Sequence, residues 1–477
     1  MSTPKNPTAQ GTPGRHSPAP GFWKRGGEGE ELHPYAARVL SELEGRIPWE
    51  REFLQAVHEV FETITPVLER DHRFESEAIL ERLVEPERII AFRVPWLDDR
   101  GQVHVNRGWR IQFNNAIGPY KGGLRFHASV TLSVLKFLGF EQTFKNALTG
   151  LPMGGGKGGS DFNPRGCSDR EVMRFSQSFM TELSHHIGEQ IDVPAGDIGV
   201  GTREIGWMFG QYKRLTRNWN GTLTGKGLDW GGSLLRPEAT GYGVVYFTQD
   251  MLKTLGETFE GKRVAVSGFG NVAWGVVKKV GELGGKVVTL SGPDGYVYDP
   301  DGVTGSKIEY MLYLRATGQD RVQPYAEKFG VEFFPEQRPW SVPVDVALPC
   351  AIQNELGEKD AEALVANGCR VVTEGANMPT VPGAVRILQE SGVLFAPGKA
   401  SNAGGVACSG FEMSQNRSGD RWTARRVDET LHDTMSTIHD TCVKVSQRFD
   451  RPGDYVSGAN IAAFLKVSEA MLDQGVV

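Results

Sequence analysis

The sequence predicts an α/β protein of two domains, the second of them a doubly wound parallel sheet. Three observations carry that expectation. The chain has 477 residues, more than one ordinary core organises. After Pro237 the hydrophobic period changes, and short apolar runs begin to alternate with helical segments. Within that half, Arg263–Ser267 reads as a strand and Gly268-Phe269-Gly270-Asn271-Val272-Ala273 as a glycine turn. A helix to about Leu283 follows, then a second strand over Lys286–Leu290. That succession is the β-α-β grammar of a parallel sheet.

Taken in order, residues 1–30 are rich in Pro, Gly, Ser and Thr and read as a disordered tail, too poor in apolar surface to offset its ordering entropy. Residues 31–232 form the first domain. Helical patterning begins near Leu32 and is clear from Trp49 to Glu69, where Phe53, Val57, Val60, Phe61, Ile64 and Val67 recur at helical spacing. Ile89–Trp96 and Val103–Phe113 flank a turn at Asp98-Asp99-Arg100-Gly101 and read as a hairpin. A helix over Val130–Leu148 comes next, then a glycine-rich segment. Ser168 with Glu171 three residues on fits a capping box for a helix ending near His186. Residues 233–426 form the second domain: a helix over Gly241–Leu255, the glycine turn with its strands, and further apolar runs at Val344–Leu348, Val371-Val372 and Leu394-Phe395. Residues 427–477 hold two helices, Val427–Phe449 and Asn460–Met471.

Composition removes several function classes. Lys and Arg total 52 against 58 Asp and Glu, a formal net charge of −6, so no basic excess points to nucleic acid or an anionic membrane. The five cysteines (Cys167, Cys350, Cys369, Cys408 and Cys442) are scattered and never form C-x-x-C, which argues against a disulfide framework or zinc site. No His/Cys/carboxylate set has metal-ligand spacing, so no metal is expected. No run of about eighteen apolar residues occurs, so no membrane span is expected. The N-terminus lacks a basic-then-apolar signal layout, and cytoplasm is the expected address.

The glycine-rich segment is the most informative. Lys157 stands among five glycines in Gly154-Gly155-Gly156-Lys157-Gly158-Gly159. Backbone, substrate and apolar walls can approach an ammonium so placed, and in a dry pocket its pKa falls towards neutrality, which suits proton transfer. A phosphate loop of the form G-x-x-x-x-G-K-[ST] is excluded, because Leu151 and Gly158 stand where glycine and Ser or Thr are required. A flexible turn carrying a solvated lysine is the plain alternative.

The turn at 268–273 is G-x-G-x-x-A directly after a strand and opening a helix, the context a dinucleotide needs. Gly268 permits the tight turn, Gly270 admits pyrophosphate oxygens to backbone N–H groups, and Ala273 lets the helix lie close to its strand. The expected cofactor is therefore NAD or NADP. The carboxylate for the adenosine ribose is displaced: Leu290-Ser291-Gly292-Pro293 precede Asp294, three residues beyond the usual place. A carboxylate there would repel a 2′-phosphate, whereas Ser291 and Gly292 leave room for one; the balance leans towards NAD.

Four more segments set polar groups among glycines. Lys121 lies in Pro119-Tyr120-Lys121-Gly122-Gly123-Leu124-Arg125-Phe126, and Gln142 and Lys145, three apart, share a helix face. Asp197 lies in Pro194-Ala195-Gly196-Asp197-Ile198-Gly199, and Ser409 in Ala403–Gly410. Each has an ordinary reading: Lys121 and Lys145 solvated, Asp197 a turn residue, Ser409 a helix N-cap, and Arg125 and His127 structural. Together, three lysines and an aspartate beside a dinucleotide domain suggest a small dicarboxylate or amino-acid substrate, with the nicotinamide supplying the redox step.

At these residues the chain resembles the hexameric glutamate dehydrogenases, within the Glu/Leu/Phe/Val dehydrogenase superfamily. The resemblance runs from about Glu85 to Val477 and is carried by Ile117–Gly123, Phe137–Leu148, Leu151–Ser160, Val193–Gly199, Arg236–Tyr242 and Glu374–Pro379. It implies reversible oxidative deamination of L-glutamate to 2-oxoglutarate and ammonia with NAD or NADP. It also implies a homohexamer whose first domain handles substrate and oligomerisation, and C-terminal helices that return to that domain. By position it implies Lys121 and Ser409 on a substrate carboxylate, and Lys145 with Gln142 at the α-carboxylate. Lys157 would be the low-pKa lysine that activates water, Asp197 a proton shuttle and Gly196 a carbonyl contact to the amine. Thr240 and Asn271 would touch the cofactor, beside Gly268, Gly270 and Val272 of the turn. Phe269 and Gly292-Pro293-Asp294 resemble the NAD-preferring members. Two alternatives stay open: a leucine, phenylalanine or valine dehydrogenase, which would need an apolar pocket at Lys121 and Ser409, and a catalytically silent dinucleotide-binding scaffold, against which Lys157 and Asp197 argue.

Overall fold

The computed structural model describes residues 32–317 and 321–477; the tail expected over residues 1–30 lies outside the described residues. The first half is built on five strands, β1 (Arg88–Leu97), β2 (Val103–Asn114), β3 (Tyr120–Phe126), β4 (Gly154–Ser160) and β5 (Asp192–Gly196). They lie in the order β1-β2-β4-β3-β5. The hairpin forms as expected, β1 antiparallel to β2 with Arg93 opposite Arg107. β2 runs antiparallel to β4, while β3 lies parallel to both β4 and β5.

Three of these strands, β3, β4 and β5, lie in the glycine-rich segments of the sequence, where no strand was expected. Glycine gives no alternation and weakens a strand by roughly 0.5–1 kcal/mol relative to alanine, so nothing local announces β4. The reason lies in the crowding. All seven residues of β4 are buried. A Cβ at Gly155 would stand 1.9 Å from Thr143 Oγ1, and one at Gly158 2.8 Å from Leu124 Cδ2. The helix Leu132–Leu148 therefore rests directly on backbone. Asn146, on that helix, donates to the carbonyls of Lys121 (3.0 Å) and Gly154 (2.5 Å), tying helix, β3 and β4 together.

Beneath β4 the space left by Gly156 and Gly158 is filled by Arg110, which is fully buried. Its Nε and Nη2 donate to Asp192 Oδ2 and Oδ1 at 2.9 and 2.5 Å, and its Nη1 to the Gly122 carbonyl at 3.1 Å. This bidentate pair fixes β2, β3 and β5 relative to one another. The helices Asp169–Leu183 and Thr202–Thr216 belong to the core of this side, where Leu124, Phe126, Phe162, Phe175 and Phe179 are buried. The first of them opens on the expected Ser168–Glu171 capping box.

In the second half β6 (Arg263–Val266) and β7 (Lys286–Val287) are parallel neighbours. The single strand expected over Lys286–Leu290 is broken at Val288. β8 (Thr289–Gly292) leaves the sheet and pairs antiparallel with β9 (Gly295–Tyr298), which pairs with β10 (Glu332–Pro335). Thr289 makes the departure possible: its hydroxyl accepts from Val266 N (2.9 Å) and donates to Val266 O (3.0 Å), replacing the lost ladder bonds. β11 (Val346–Leu348), β12 (Val371–Thr373) and β13 (Leu394–Ala396) complete a parallel sheet in the order β13-β12-β11-β6-β7. Of the last two helices, Ala424–Arg448 lies against the helix Ala239–Thr254, while Tyr455–Gln474 returns to Arg51–Leu68 and Leu132–Leu148 in the first half.

Candidate active site

Strand order brings the lysines and the aspartate together. β3 carries Lys121, its neighbour β4 carries Lys157, and Asp197 follows the last residue of β5 on the other side of β3. Lys157 Nζ lies 3.1 Å from Asp197 Oδ2, and Lys157 is only 4 % exposed. The same carboxylate oxygen accepts from Arg125 Nε at 2.7 Å. Gly123 stands between them: a Cβ there would be 2.8 Å from Asp197 Cβ and 3.2 Å from Lys157 Nζ.

Burial lowers the Lys157 pKa from its ordinary value; Asp197 opposes this and the Arg125 guanidinium reinforces it. Burial alone would raise the Asp197 pKa, but the charges of Lys157 and Arg125 overrule it and hold the carboxyl far below the usual range. The pair is thus an amine that releases its proton easily beside a carboxylate that stays ionised.

Lys121 is fully buried, and its Nζ donates to Thr224 Oγ1 at 2.9 Å. Desolvation first, then the charges of Arg236 and Arg110, hold its pKa well below that of a free lysine. Ser409 sits inside the helix Gly404–Ser418, so the N-cap alternative is corrected: that helix opens at Gly404 with no side-chain cap. Its hydroxyl donates to the Gly405 carbonyl (3.2 Å) and accepts from Arg236 Nε (3.0 Å). Gln142 and Lys145 share one face of their helix as expected. Lys145 Nζ donates to Asn377 Oδ1 at 2.8 Å, reaching a residue between β12 and β13. Burial, then the nearby Lys157 charge, pushes its pKa down to about 8. Gln142 Nε2 donates to Asn146 Oδ1 at 2.7 Å. Gly196 ends β5, and a Cβ there would be 2.5 Å from the Val200 carbonyl.

On the other side, Gly268 has φ +76° two residues beyond the end of β6. The helix Asn271–Glu282 opens without a side-chain cap, and nothing lies within 4 Å of where a Gly270 Cβ would stand. Open space before uncapped N–H groups fits a dinucleotide pyrophosphate, and Asn271, Val272 and Ala273 form the first turn of that helix. Arg315 donates to Asn271 Oδ1. Thr240 lies in the first turn of Ala239–Thr254, with its hydroxyl 2.3 Å from the place a Gly405 Cβ would take. Asp294 is in the turn between β8 and β9, and its carboxylate accepts from Val322 N (3.0 and 3.1 Å) and Gln323 N (3.0 Å), capping the helix Gln323–Phe329. The residue bonded to the glycine turn is instead Ser291, whose hydroxyl accepts from Gly268 N at 2.7 Å.

Sequence reasoning missed Arg125, which it gave a structural reading, and Thr224, Arg236 and Asn377. The last two lie within segments that carried the resemblance, Arg236–Tyr242 and Glu374–Pro379, where such a signal was available. Thr224 has none: it reaches Lys121 only through the fold. Among the described residues no group of His, Cys, Asp and Glu could hold a metal ion.

A doubly wound dinucleotide-binding half facing buried lysines and an aspartate defines a nicotinamide-dependent oxidoreductase. The sequence model described as Glutamate/Leucine/Phenylalanine/Valine dehydrogenase matches residues 231–475, and that of the Glu/Leu/Phe/Val dehydrogenase dimerisation domain matches residues 86–214. The chain is 60% identical over 441 residues to the NAD-specific glutamate dehydrogenase of Bacteroides fragilis, covering 92% of this chain and 99% of that protein. It is 58% identical over 438 residues to the NADP-specific glutamate dehydrogenase of Salmonella typhi, covering 92% and 98%. A solved glutamate dehydrogenase superposes with a TM-score of 0.92 at 56% identity, covering 93% of this chain and 100% of that one. The glutamate dehydrogenase of Plasmodium falciparum does so with a TM-score of 0.91 at 49% identity, covering 93% and 95%. The chain belongs to the Glu/Leu/Phe/Val dehydrogenase family.

Proposed function

We propose that this protein is a glutamate dehydrogenase, interconverting L-glutamate, water and oxidised NAD or NADP with 2-oxoglutarate, ammonium, the reduced cofactor and a proton. The observation that carries the reading is the Lys157–Asp197 pair at 3.1 Å, flanked by further buried or half-buried lysines, Lys121 and Lys145. Lys121 with Ser409 holds the distal carboxylate, and Lys145 with Gln142 the α-carboxylate. Two cationic ends suit a five-carbon dicarboxylate and leave a leucine side chain facing a buried ammonium. Neutral Lys157 takes a proton from the attacking water, and its ammonium then stabilises negative charge on the oxygen added at the α-carbon. Asp197 moves protons to and from the amino group, which the Gly196 carbonyl orients.

NAD or NADP, held at Gly268, Gly270, Asn271, Val272 and Thr240, supplies the hydride acceptor or donor when bound. We read the preference as NAD. That reading rests on Phe269 and on the Asp294 carboxylate two residues beyond β8; the carboxylate accepts from the backbone N–H groups of Val322 and Gln323, while Ser291 is the residue bonded to the glycine turn. Initial rates with 2-oxoglutarate and ammonium, compared between NADH and NADPH and repeated with 2-oxoisocaproate in place of 2-oxoglutarate, test the reading. Faster turnover of the branched substrate would reject it.

The domain division at 31–232, 233–426 and 427–477 is part of the same proposal, supported by the separate sheets and the returning last helix. So is a cytoplasmic homohexamer. In its support, β1 is an edge strand whose hairpin exposes Ile89, Leu97, Val103 and Val105. A hollow of about 530 Å³ beside it is lined by Arg88, Ile89, Gln112, His185, His186 and Ile191, away from the lysines. A long apolar edge of this kind needs covering.

A further inference from the structure

The segment Thr222–Lys226 is bent sharply where Lys121 needs it. Leu223 is a buried non-glycine residue in the left-handed region, at φ +70°, and Gly225 is at φ +88°. Between them Thr224 donates its N–H to the Pro194 carbonyl on β5 (3.0 Å) and accepts from Lys121 Nζ (2.9 Å). A left-handed leucine persists only where its surroundings over-determine it. Here Lys226 folds back, and its ammonium donates to the Leu223 carbonyl while lying 2.9 Å from Glu412 Oε1.

Glu412 is fully buried, and all its bonds here go to this one segment. Beside the Lys226 ammonium it accepts from Gly225 N (2.9 Å) and Lys226 N (3.3 Å). It stands three residues after Ser409, on the same face of the helix Gly404–Ser418. One carboxylate therefore fixes the distance between two hydroxyls on separate parts of the chain, Ser409 on the helix and Thr224 on the bent segment, with the Lys121 ammonium bonded to the latter. Its charge also favours the ammonium form of Lys121, opposing the desolvation and the Arg236 and Arg110 charges that disfavour it.

We propose that Lys226 and Glu412 are positioning residues that set the geometry of the distal-carboxylate pocket and hence the affinity for acidic substrates. The inference rests on the reading of Lys121 and Ser409 given above. Neither residue takes part in proton transfer, so the pair acts on binding of the distal end and leaves the chemistry at Lys157 alone.

The test is Glu412→Gln in the full-length enzyme, with KM and kcat for L-glutamate and the Kd for NADH by fluorescence titration. The side chain keeps its shape and can still accept one N–H, but it loses the charge that holds Lys226. KM is expected to rise by about tenfold or more while kcat changes by less than about threefold and the NADH Kd holds, the split expected of lost ground-state binding. An unchanged KM, or a fall in kcat at constant KM, would overturn the proposal, as would parallel loss of glutamate and NADH binding. Glu412→Gln/Lys226→Met, which leaves no unpaired buried charge, is read the same way if the single variant is insoluble; failure of both to fold would make the pair a folding element only. Lys121→Ala separates this inference from the reading beneath it: a wild-type KM in that variant would reject the pocket itself, whatever Glu412 does.

Discussion

The ammonium of Lys157 and the carboxylate of Asp197 meet at 3.1 Å across Gly123, the one residue of β3 that leaves room for them. They come from two strands that are not adjacent, β4 and the end of β5, with β3 running between. Arg125, two residues after Gly123, holds the same carboxylate oxygen at 2.7 Å and keeps it aimed.

Lys157→Ala removes the group assigned to take the proton from water. Turnover is expected to fall by about 10²–10⁴-fold, the usual worth of a positioned general base, while NADH binding stays near wild type. Steady-state kinetics and fluorescence titration read the two quantities separately.

Gly123→Ala tests the packing. The added methyl would lie 2.8 Å from both Asp197 Cβ and the Gly196 carbonyl, and 3.2 Å from Lys157 Nζ, and β3 cannot move without disturbing β4 and β5, with which it pairs on either side. Overpacking of this kind costs about 1–3 kcal/mol, so a lower Tm is expected together with a larger loss of kcat than the destabilisation explains. Ala at Gly150, which has open space around it, is the control for the methyl itself, though its positive φ of +75° carries a strain of its own.

The pH profile follows from the directions of the shifts. Lys157 must be neutral to accept a proton, so kcat/KM for glutamate oxidation rises as pH passes its lowered pKa. In their proposed roles Lys145 and Lys121 must both be charged to hold carboxylates, so the profile falls as pH passes about 8 at Lys145 and as it passes the lowered pKa of Lys121. Arg125→Gln takes away a positive charge that disfavours the Lys157 ammonium; the Lys157 pKa goes up, and the rising limb is expected to move to higher pH. A limb that stays in place or moves to lower pH would contradict the assignment.

Lys399, 3 % exposed at its side chain, neutralises Glu141 (3.1 Å) and Glu59 (3.3 Å) and donates to Asn460 Oδ1 at 2.7 Å. It joins the helices Arg51–Leu68, Leu132–Leu148 and Tyr455–Gln474. Burial disfavours its charge, but the two carboxylates overrule this and hold its pKa above the ordinary lysine value. Lys399→Met would leave the half-buried carboxylates of Glu141 and Glu59 without their shared cation. A loss of about 3–5 kcal/mol is expected on removing one partner of a buried pair, read by denaturant unfolding.

Much of this was legible in the chain. The G-x-G-x-x-A turn, the short strands at Val346, Val371 and Leu394, and the Ser168–Glu171 box are local signals, and each formed where its chemistry placed it. Three strands of the first half, β3, β4 and β5, were not legible as strands. Their glycines exist for what lies on the far side of the backbone, such as Thr143 over Gly155 and Arg110 under Gly158, and a single sequence shows neither neighbour. Val288 shows a different limit. The apolar run through it looks continuous, yet the Thr289 hydroxyl takes over the ladder bonds and sends the strand into another sheet. Arg125, Arg236 and Thr224 stayed out of the site for the same reason as the glycines: each is defined by a partner 72, 173 or 103 residues away.

The central claim is that the amine of Lys157 gives up its proton below the pH at which a free lysine does. Competitive acetylation across a pH series, with NAD bound and mass-spectrometric readout at each lysine, measures this through the midpoint of Lys157 labelling, whatever its absolute rate. A midpoint clearly below that of the exposed lysines is expected, moving upward in Arg125→Gln. A midpoint coinciding with theirs would remove the basis for Lys157 as the proton acceptor.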